Sequence, residues 1–409
     1  MAETASGPLY VPGALPDEIV DAERDGERGR LLAIARPSRL RVEPFCPYFG
    51  RCGGCVAQHA APGLYADWKR DKVVAALARA GVEAEVVPLL DAHGAGRRRV
   101  TLHARDADGA MRVGFMEARS HRLVAIDRCP IAVPGLARAP EVAARLAGAI
   151  GRIGKPLDVL VTATAAGLDV ELRGSGPLPE RRRQVLIGLA ASLDLARLAL
   201  HGEVLIARRP PGIRVGPALV VPPPGAFLQA TQAGEAILAG LVLDAVGARA
   251  KRAVDLFAGS GPFTLALARS CEVLAVDGDE AALQALERAA RGASGLRRVE
   301  CERRDLFRRP LLVPELDRFD AIVFDPPRAG AQAQVAWIAQ SKVPLVIGVA
   351  CDAGTFARDA AMLVAAGYRL ERVIPVDQFK YSAHVELVGV FRRTVEARRR
   401  TGRAAGRRT

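Results

Sequence analysis

The chain has 409 residues, half of them hydrophobic, and a formal net charge of +13. This length exceeds what one hydrophobic core supports and predicts two or three domains. No apolar run approaches the ~18 residues that span a bilayer, and the start of the chain lacks the charged and apolar regions of a signal peptide. These features favour a soluble, cytoplasmic protein that has no membrane partner. The excess of positive charge indicates a polyanionic partner.

The sequence pattern of the first half of the chain indicates two segments, neither of which shows a regular alternation of helix and strand. Residues 1–43 contain short strands and turns, at most a fragment of a small barrel. Residues 44–223 contain strands joined by short connections, together with a few helices, which is typical of an antiparallel α+β domain. The predicted helices are 65–80, 141–150 and 179–192, and the predicted strands are 97–105, 112–117, 123–126 and a hairpin at 158–173.

Helices and strands alternate from residue 224 to residue 393, which is typical of a doubly wound parallel sheet. The predicted strands are 252–257, 272–277, 319–324, 345–349, 370–376 and 385–391, and the predicted helices are 233–246, 262–270, 280–291 and 355–366. The last two strands close the sheet as an antiparallel edge. Residues 394–409 are rich in Arg, Ala and Gly and predict a disordered basic tail, which either contacts phosphates or only aids solubility.

Four cysteines predict a metal centre in the α+β segment. Cys46, Cys52 and Cys55 lie in one short run, and Cys129 is a distant fourth ligand. This spacing fits a cubane 4Fe-4S iron–sulfur cluster better than a structural zinc site, which usually takes two short pairs of ligands. The two glycines between Cys52 and Cys55 let the backbone wrap closely around inorganic sulfide. Zinc binding and four unrelated buried thiols are the alternatives.

The first strand of the alternating region ends in a glycine-rich loop, D-L-F-A-G-S-G-P-F at residues 255–263. Glycines here let the backbone approach a ligand at the carboxyl edge of the sheet, where such folds bind nucleosides. The next strand ends at Asp277, whose carboxylate can accept hydrogen bonds from both hydroxyls of a ribose. NAD would also suit this pattern, but the loop lacks the third glycine of the dinucleotide fingerprint and resembles the S-adenosylmethionine loop of class I methyltransferases. We expect the cysteine cluster to lie away from this loop.

A second acidic motif, D-P-P-R at residues 325–328, ends a later strand of the same sheet. The two prolines stiffen the turn and direct the carboxylate of Asp325 into the predicted pocket. Amino-directed methyltransferases place an aromatic residue after two prolines, whereas this chain has Arg328. The sequence therefore favours transfer to a ring carbon over transfer to nitrogen.

Cys351 and Glu386 are the candidates for a nucleophile and a base. Cys351 lies where a buried strand meets the start of a helix, and the helix dipole there stabilises a thiolate. A thiolate that adds to carbon 6 of uracil makes carbon 5 able to attack a methyl sulfonium, and a base must then remove the proton from carbon 5. Glu386 lies on an apolar strand, where burial raises the pKa of a carboxyl group. His384, two residues earlier, is predicted to point to the same side of the strand. A structural ion pair is the alternative role for Glu386.

Together these motifs resemble the bacterial RNA 5-methyluridine methyltransferases, and the iron–sulfur members that act on 23S, large-subunit ribosomal RNA look most similar. The resemblance implies a Rossmann-like class I methyltransferase domain at 224–393, an α+β central domain at 44–223 that holds the 4Fe-4S cluster, and a truncated OB-like (TRAM) segment at 1–43. It also implies a monomer that uses S-adenosylmethionine and acts on RNA. By this resemblance the nucleophile is Cys351, the proton acceptor is Glu386, the cofactor contacts are Gln229, Phe257, Asp277 and Asp325, and the cluster ligands are Cys46, Cys52, Cys55 and Cys129.

The chain departs from the family pattern at three places. The nucleophile is usually followed by Asn-Pro, whereas here Asp352 and Ala353 follow it, and the extra negative charge would oppose thiolate formation. Pro262 replaces an asparagine that usually touches the cofactor, and the TRAM segment is only partly present. The alternatives are therefore a degenerate methyltransferase that only binds RNA or assists ribosome assembly, and an enzyme that acts on a uridine of transfer RNA, whose family member lacks the cluster.

Overall fold

The computed structural model describes residues 2–5, 7–107, 109–151 and 155–394, which contain one seven-stranded and one nine-stranded sheet. The predicted basic tail lies outside these residues, apart from Thr394 at its start. In the described part of the chain, no helix is both long and apolar enough to cross a bilayer.

The amino-terminal part forms a two-stranded antiparallel hairpin of β1 (Ile19–Asp25) and β2 (Arg28–Arg36). Arg41 fixes the start of this hairpin, because its Nε lies 2.6 Å from Oε1 of Glu18 and holds the pKa of that carboxyl at about 2. The chain continues through α1 (Pro62–Arg79), β3 (Glu85–Val86) and β4 (Leu90–Asp91).

The central sheet is built from seven strands in the order β11-β10-β9-β8-β5-β6-β7, antiparallel except between β9 and β10. Its elements are β5 (Arg99–Ala107), β6 (Ala110–Met116), β7 (Leu123–Ala125), a short 3-10 helix (Pro134–Leu136), α2 (Ala139–Ile150), β8 (Leu157–Thr164), β9 (Gly167–Arg173), α3 (Glu180–Ser192), β10 (Arg197–Leu200) and β11 (Glu203–Ala207). Side chains of α2 and α3, such as Leu146 and Leu186, bury the apolar face of β8 and β9. The predicted antiparallel α+β arrangement is therefore observed, and β10 and β11 are additional to the predicted strands.

The larger sheet has the predicted doubly wound architecture, with the strand order β16-β15-β14-β17-β18-β20-β19-β3. A hairpin of β12 (Ile213–Val215) and β13 (Ala218–Val220) precedes it. The remaining elements are α4 (Gln232–Val246), β14 (Arg252–Leu256), α5 (Pro262–Leu267), β15 (Glu272–Asp277), α6 (Glu280–Arg291), β16 (Val299–Arg303), α7 (Val313–Leu316), β17 (Ala321–Phe324), α8 (Gln332–Gln340), β18 (Leu345–Ala350), α9 (Ala353–Ala365), β19 (Tyr368–Asp377) and β20 (Glu386–Arg393).

Helices cover both faces of this sheet, because its strands are apolar on both sides. Side chains of α1, α8 and α9 pack on one face, and side chains of α4 and α5 pack on the other. The strand order reverses between β14 and β17, and the carboxyl ends of strands at such a switch point form the ligand crevice of open α/β sheets.

Two details differ from the sequence-based expectations. β20 is antiparallel, as predicted, but it lies inside the sheet between β18 and β19 instead of at its edge. The edge beyond β19 is occupied by β3 and β4, which pair with β19 in parallel. Residues 62–91 therefore pack with the larger sheet and not with the central one, because the apolar face of α1 is buried against α9.

Candidate active site

A cavity of about 1020 Å³ lies at the carboxyl edge of the larger sheet, at the switch point between β14 and β17. It is lined by all six of the residues predicted to bind cofactor or to act on substrate: Gln229, Phe257, Asp277, Asp325, Cys351 and Glu386. These residues are spread over more than 150 positions of sequence. Phe257, Asp277, Asp325 and Cys351 meet because the carboxyl ends of parallel strands share one edge, while Gln229 precedes α4 and Glu386 begins the antiparallel β20.

The glycine loop after β14 is tightly constrained. Phe257 has a φ of 63°, in the left-handed region that non-glycine residues seldom adopt, and its ring lies 5.4 Å from that of Phe307 on the cavity wall. Gly261 has a φ of 82°, and a Cβ atom there would lie 2.3 Å from Leu286 of α6. Gly261 is thus required for the approach of α6 as well as for the loop conformation.

Asp277 ends β15, and its carboxylate holds the same loop. The Gly259 N–H donates to Oδ2 over 2.8 Å, and the Asp279 N–H donates to Oδ1 over 2.7 Å. On β14, Asp255 is completely buried and accepts a hydrogen bond from the Thr264 hydroxyl over 2.6 Å. Burial raises the pKa of Asp255 to about 7.

Asp325 follows β17, and its Oδ2 accepts a hydrogen bond from Gln229 Nε2 over 3.2 Å. Burial, followed by the charge of Glu386, raises the pKa of Asp325 well above its usual range. The predicted direction of this carboxyl into the pocket is observed. Arg328 of the same motif reaches the cavity, where a guanidinium nitrogen lies 3.2 Å from Nε2 of His384.

Cys351 follows β18 directly, at the cavity wall. Burial raises the pKa of its thiol to about 11, with further contributions from the charges of Glu386 and Asp325, while Arg328 acts in the opposite direction. This shift is opposite in direction to the lowered pKa that the helix start predicts, because desolvation outweighs any benefit from the start of α9.

Asp352 does not act on Cys351 in the way the sequence suggests. Its Oδ1 accepts hydrogen bonds from the N–H groups of Gly354 and Thr355, each over 2.9 Å, so that the carboxylate caps α9. The carboxylates that raise the pKa of the Cys351 thiol are Glu386 and Asp325 instead.

Glu386 begins β20 and is almost completely buried. Burial raises its pKa to about 7, the direction that its apolar strand predicts. Among the described residues it forms no salt bridge, which argues against the alternative role as a structural ion pair. Its Oε2 accepts a hydrogen bond from Nε2 of Gln378 over 2.8 Å.

Gln378 is a site residue that sequence reasoning missed. It follows β19 directly, and a polar side chain at the end of a strand on the active edge is the signal that could have identified it. Gln378 lies behind the cavity wall, and among the residues that line the cavity itself the exposed Phe227 and the Phe307 that packs on Phe257 were missed too.

A second cavity, of about 390 Å³, is lined by all four cysteines predicted to hold a cluster: Cys46, Cys52, Cys55 and Cys129. Burial raises the pKa of Cys55 to about 11 and also raises those of Cys52 and Cys129. Within the described ranges, no three His, Cys, Asp or Glu side chains are arranged to hold a metal ion. The shared cavity is consistent with the predicted ligand set but leaves metal binding as a prediction.

The glycines between Cys52 and Cys55 have different functions. A Cβ atom on Gly53 would lie 2.9 Å from the carbonyl oxygen of Met116, so this glycine is required by the close approach to β6 and not by sulfide. Gly54 does face sulfur, since its N–H donates to Sγ of Cys52 over 3.5 Å.

The two cavities are neighbours, contrary to the expectation that they lie apart. Leu228 lines both of them, and Ala230 lines the cysteine cavity, while Gln229 between them points into the larger cavity. Residues 228–230 therefore form the wall that separates the two sites.

Comparison with known proteins identifies the class to which this arrangement belongs. Residues 223–395 match the family model described as tRNA (uracil-5-)-methyltransferase. An uncharacterized RNA methyltransferase of Caulobacter vibrioides is 46% identical over 403 residues, covering 96% of each chain. A 23S rRNA (uracil(1939)-C(5))-methyltransferase of Halomonas elongata is 33% identical over 96% of this chain and 86% of its own.

A solved structure agrees with the fold. The tRNA (uracil-54, C5)-methyltransferase of Pyrococcus abyssi superposes with a TM-score of 0.69 at 22% identity, covering 94% of this chain and 95% of that one. The chain belongs to the RNA uracil-5-methyltransferase family, and it is an RNA methyltransferase.

Proposed function

We propose that this protein transfers the methyl group of S-adenosylmethionine to carbon 5 of a uridine in 23S ribosomal RNA. The observation that carries the proposal is the meeting of Cys351, Glu386 and Asp325 in one cavity with the glycine loop after β14. The similarity to a 23S ribosomal RNA methyltransferase along nearly the whole chain supports ribosomal RNA over transfer RNA.

In this proposal the cofactor is held beside β14 and β15. Asp277 accepts hydrogen bonds from the ribose hydroxyls through the lone pairs that its two bonds from backbone N–H groups leave available. Phe257 packs against the cofactor, while Gln229 and Asp325 provide polar contacts deeper in the cavity. S-adenosylmethionine supplies the electrophilic methyl group.

The protein contributes a nucleophile and a base in consecutive steps. The Cys351 sulfur forms a bond to carbon 6 of the uracil ring, and the electron pair of the ring double bond moves to carbon 5, which takes the methyl group. Glu386 then takes the proton from carbon 5. The electrons of that C–H bond restore the double bond as the Cys351 sulfur leaves.

Cys351 reacts as the thiolate, so its proton passes to solvent water before the attack. Because the charges of Glu386 and Asp325 raise the pKa of this thiol and Arg328 lowers it, the ionisation depends on the charge state of the whole cavity. We assign to Arg328 the electrostatic support of the thiolate, which explains why a cation rather than an aromatic residue follows the two prolines.

We further propose that Cys46, Cys52, Cys55 and Cys129 hold a 4Fe-4S cluster. The shared cavity supports this, as does the N–H of Gly54 directed at Cys52 Sγ, a bond of the kind that surrounds cluster sulfurs. When bound, the cluster would cross-link the cysteine loop to the segment around Cys129 and stabilise the folded state.

Mass spectrometry of ribosomal and transfer RNA, from cells with and without the gene, tests the substrate. We expect a single 5-methyluridine of 23S ribosomal RNA to be lost without the gene and restored by the wild-type chain. Loss of a 5-methyluridine from transfer RNA would replace the ribosomal substrate with the alternative one. Unchanged RNA would favour a protein that binds RNA without modifying it.

A trapped adduct tests the two chemical roles. Replacing Glu386 by Gln leaves addition and methyl transfer intact but removes the acceptor for the carbon 5 proton. We expect this variant to accumulate a protein–RNA species that survives denaturing electrophoresis and carries label from the cofactor's methyl group. The double variant Cys351→Ala/Glu386→Gln should not form it, and mapping of the adduct to Cys271 or Cys301 would contradict the assignment of Cys351.

A further inference from the structure

We propose that Gln378 is a positioning residue that orients both the cofactor-side Gln229 and the base Glu386 through one buried amide. Its Nε2 donates to Oε1 of Gln229 over 2.6 Å and to Oε2 of Glu386 over 2.8 Å. Its side chain is completely buried, so water does not compete for these bonds. The inference rests on the proposed role of Glu386 as the base.

The polarity of this network is fixed at one end by the backbone. The N–H of Ala230 donates to Oε1 of Gln378 over 2.9 Å, and a backbone N–H can only donate, so the amide oxygen must face Ala230. The NH2 group of Gln378 then faces Gln229 and Glu386. Gln229 consequently presents its oxygen to Gln378 and its own NH2 to Asp325.

Elements on both sides hold Gln378 in place. The carboxylate of the preceding Asp377 accepts hydrogen bonds from Tyr65 and from the buried Lys69, both on α1, and Lys69 Nζ also donates to the carbonyl oxygen of Phe379 over 3.0 Å. A Cβ atom on Gly234 of α4 would lie 2.8 Å from Cβ and 2.9 Å from Oε1 of Gln378. Helix α4 therefore leaves room for this amide only because it carries glycine there.

The bond from Gln378 has a direct consequence for the base. A donor to a carboxylate stabilises its ionised form, which is the form that accepts a proton, and this bond opposes the effect of burial on Glu386. It occupies Oε2 and leaves Oε1 to accept the proton of carbon 5. In the described part of the chain, Gln378 supplies the only hydrogen bond to this carboxylate.

Other charged groups also bear on Glu386. Asp325 and Cys351 interact with it across the cavity, at the ends of the neighbouring β17 and β18. On α4, Glu235 lines the same cavity but is paired with the buried Arg98. Because these groups remain in place when Gln378 is replaced, a changed pH profile reports the loss of its hydrogen bond.

The variant Gln378→Met keeps the length of the side chain and removes both hydrogen bonds. The acid limb of the pH–rate profile is the range in which protonation of Glu386 slows adduct breakdown. We expect this limb to move to higher pH by about one unit, because the lost hydrogen bond to the charged carboxylate is worth about one pKa unit or more. At pH 7 the labelled adduct should persist about five times longer than in the wild type, because the ionised fraction of a base whose pKa is about 7 falls from about a half to about a tenth. Binding of S-adenosylhomocysteine, measured by calorimetry, should also weaken, since Gln229 loses its fixed orientation.

Gln334→Met is the matched control. Gln334 is also completely buried, and its amide bonds to the backbone N–H and C=O of Leu311, away from the cavity. This variant should lose a similar amount of stability while keeping the wild-type pH profile. In the variant Gly234→Ala the added methyl group crowds Gln378 without removing it. This variant should move the acid limb to higher pH by a smaller amount than Gln378→Met does.

The outcomes separate this inference from the proposed function. If Glu386→Gln traps no adduct, the assignment of Glu386 as the base is wrong, and so is the role of Gln378 in orienting a base. If Glu386→Gln traps the adduct but Gln378→Met has the wild-type profile and the wild-type affinity for S-adenosylhomocysteine, only the role of Gln378 is overturned. A shifted profile in Gln378→Met together with an unshifted one in Gln334→Met supports it.

Discussion

The two cavities share a wall at Leu228, yet they are organised in different ways. In the larger cavity, buried polar groups satisfy each other: Gln378 bonds to Gln229 and Glu386, and Gln229 bonds to Asp325. In the smaller cavity, burial raises the pKa values of the Cys52, Cys55 and Cys129 thiols, and thiols are weak hydrogen-bond partners. The first cavity is therefore preorganised by the chain itself, whereas the proposed cluster would complete the second.

Secondary structure explains this difference. Most of the predicted residues of the larger cavity end, follow or begin strands of one sheet, whose ladders fix their positions, and Gln229 lies just before α4. The four cysteines lie in loops outside the named strands, and Cys52 is tied to Glu117 by a single β-bridge. Substitutions in the larger cavity should thus change chemistry, and substitutions in the smaller one should change stability.

The largest effect is expected from Cys351→Ala. Without the sulfur nucleophile the addition step is lost, so methylated RNA should fall below detection in a tritium-transfer assay. The melting temperature should change little, because Cys351 is only half-buried. Cys301→Ala, at a half-buried cysteine away from the cavity, serves as the control and should keep full activity. Wild-type methylation by Cys351→Ala would contradict the proposed chemistry.

Lys69→Met tests how far the preorganised cavity depends on its support. Lys69 and Asp377 form a completely buried ion pair, and removal of the cation leaves Asp377 with Tyr65 alone. We expect a loss of about 3–5 kcal/mol in the free energy of unfolding, measured by urea titration. The double variant Lys69→Met/Asp377→Asn should recover part of the loss. The exposed Lys342→Met should cost less than about 0.5 kcal/mol.

Cys52→Ala tests the smaller cavity. Protein purified without oxygen should be brown and contain about four irons per chain, and the variant should lose both the colour and the iron. Its melting temperature should fall relative to the iron-loaded wild type but match that of the iron-free wild type, because the lost stability is that of metal binding. Cys271→Ala, which lies outside both cavities, should retain the iron. Colourless wild-type protein with one zinc per chain would overturn the cluster.

The sequence predicted ten of the residues that line the two cavities but not the connections between them. Strand ends and glycine loops have local signatures, so Asp277, Asp325 and Cys351 could be placed on one edge before any coordinates were known. Gln378 also follows a strand, but its importance comes from its simultaneous contacts with Gln229, 149 residues away, and Glu386, which a strand-end pattern does not reveal. The pairing of β3 and β4 with β19 was missed for a similar reason, since strands of two residues leave no periodic pattern.

Asp352 gives the smallest expected effect and the sharpest contrast between sequence and structure. The sequence suggests that its charge opposes the thiolate of Cys351, so that Asp352→Asn should increase activity. In the structure its carboxylate caps α9 through the N–H groups of Gly354 and Thr355, and an asparagine can make the same bonds. We therefore expect the value of kcat/KM for Asp352→Asn to stay within about twofold of the wild type, at a cost of a few tenths of a kcal/mol in stability. Asp352→Ala removes the cap and should cost about 1 kcal/mol. A gain of tenfold or more in Asp352→Asn would show that the charge of Asp352 does act on the thiolate, and that capping does not isolate it from Cys351.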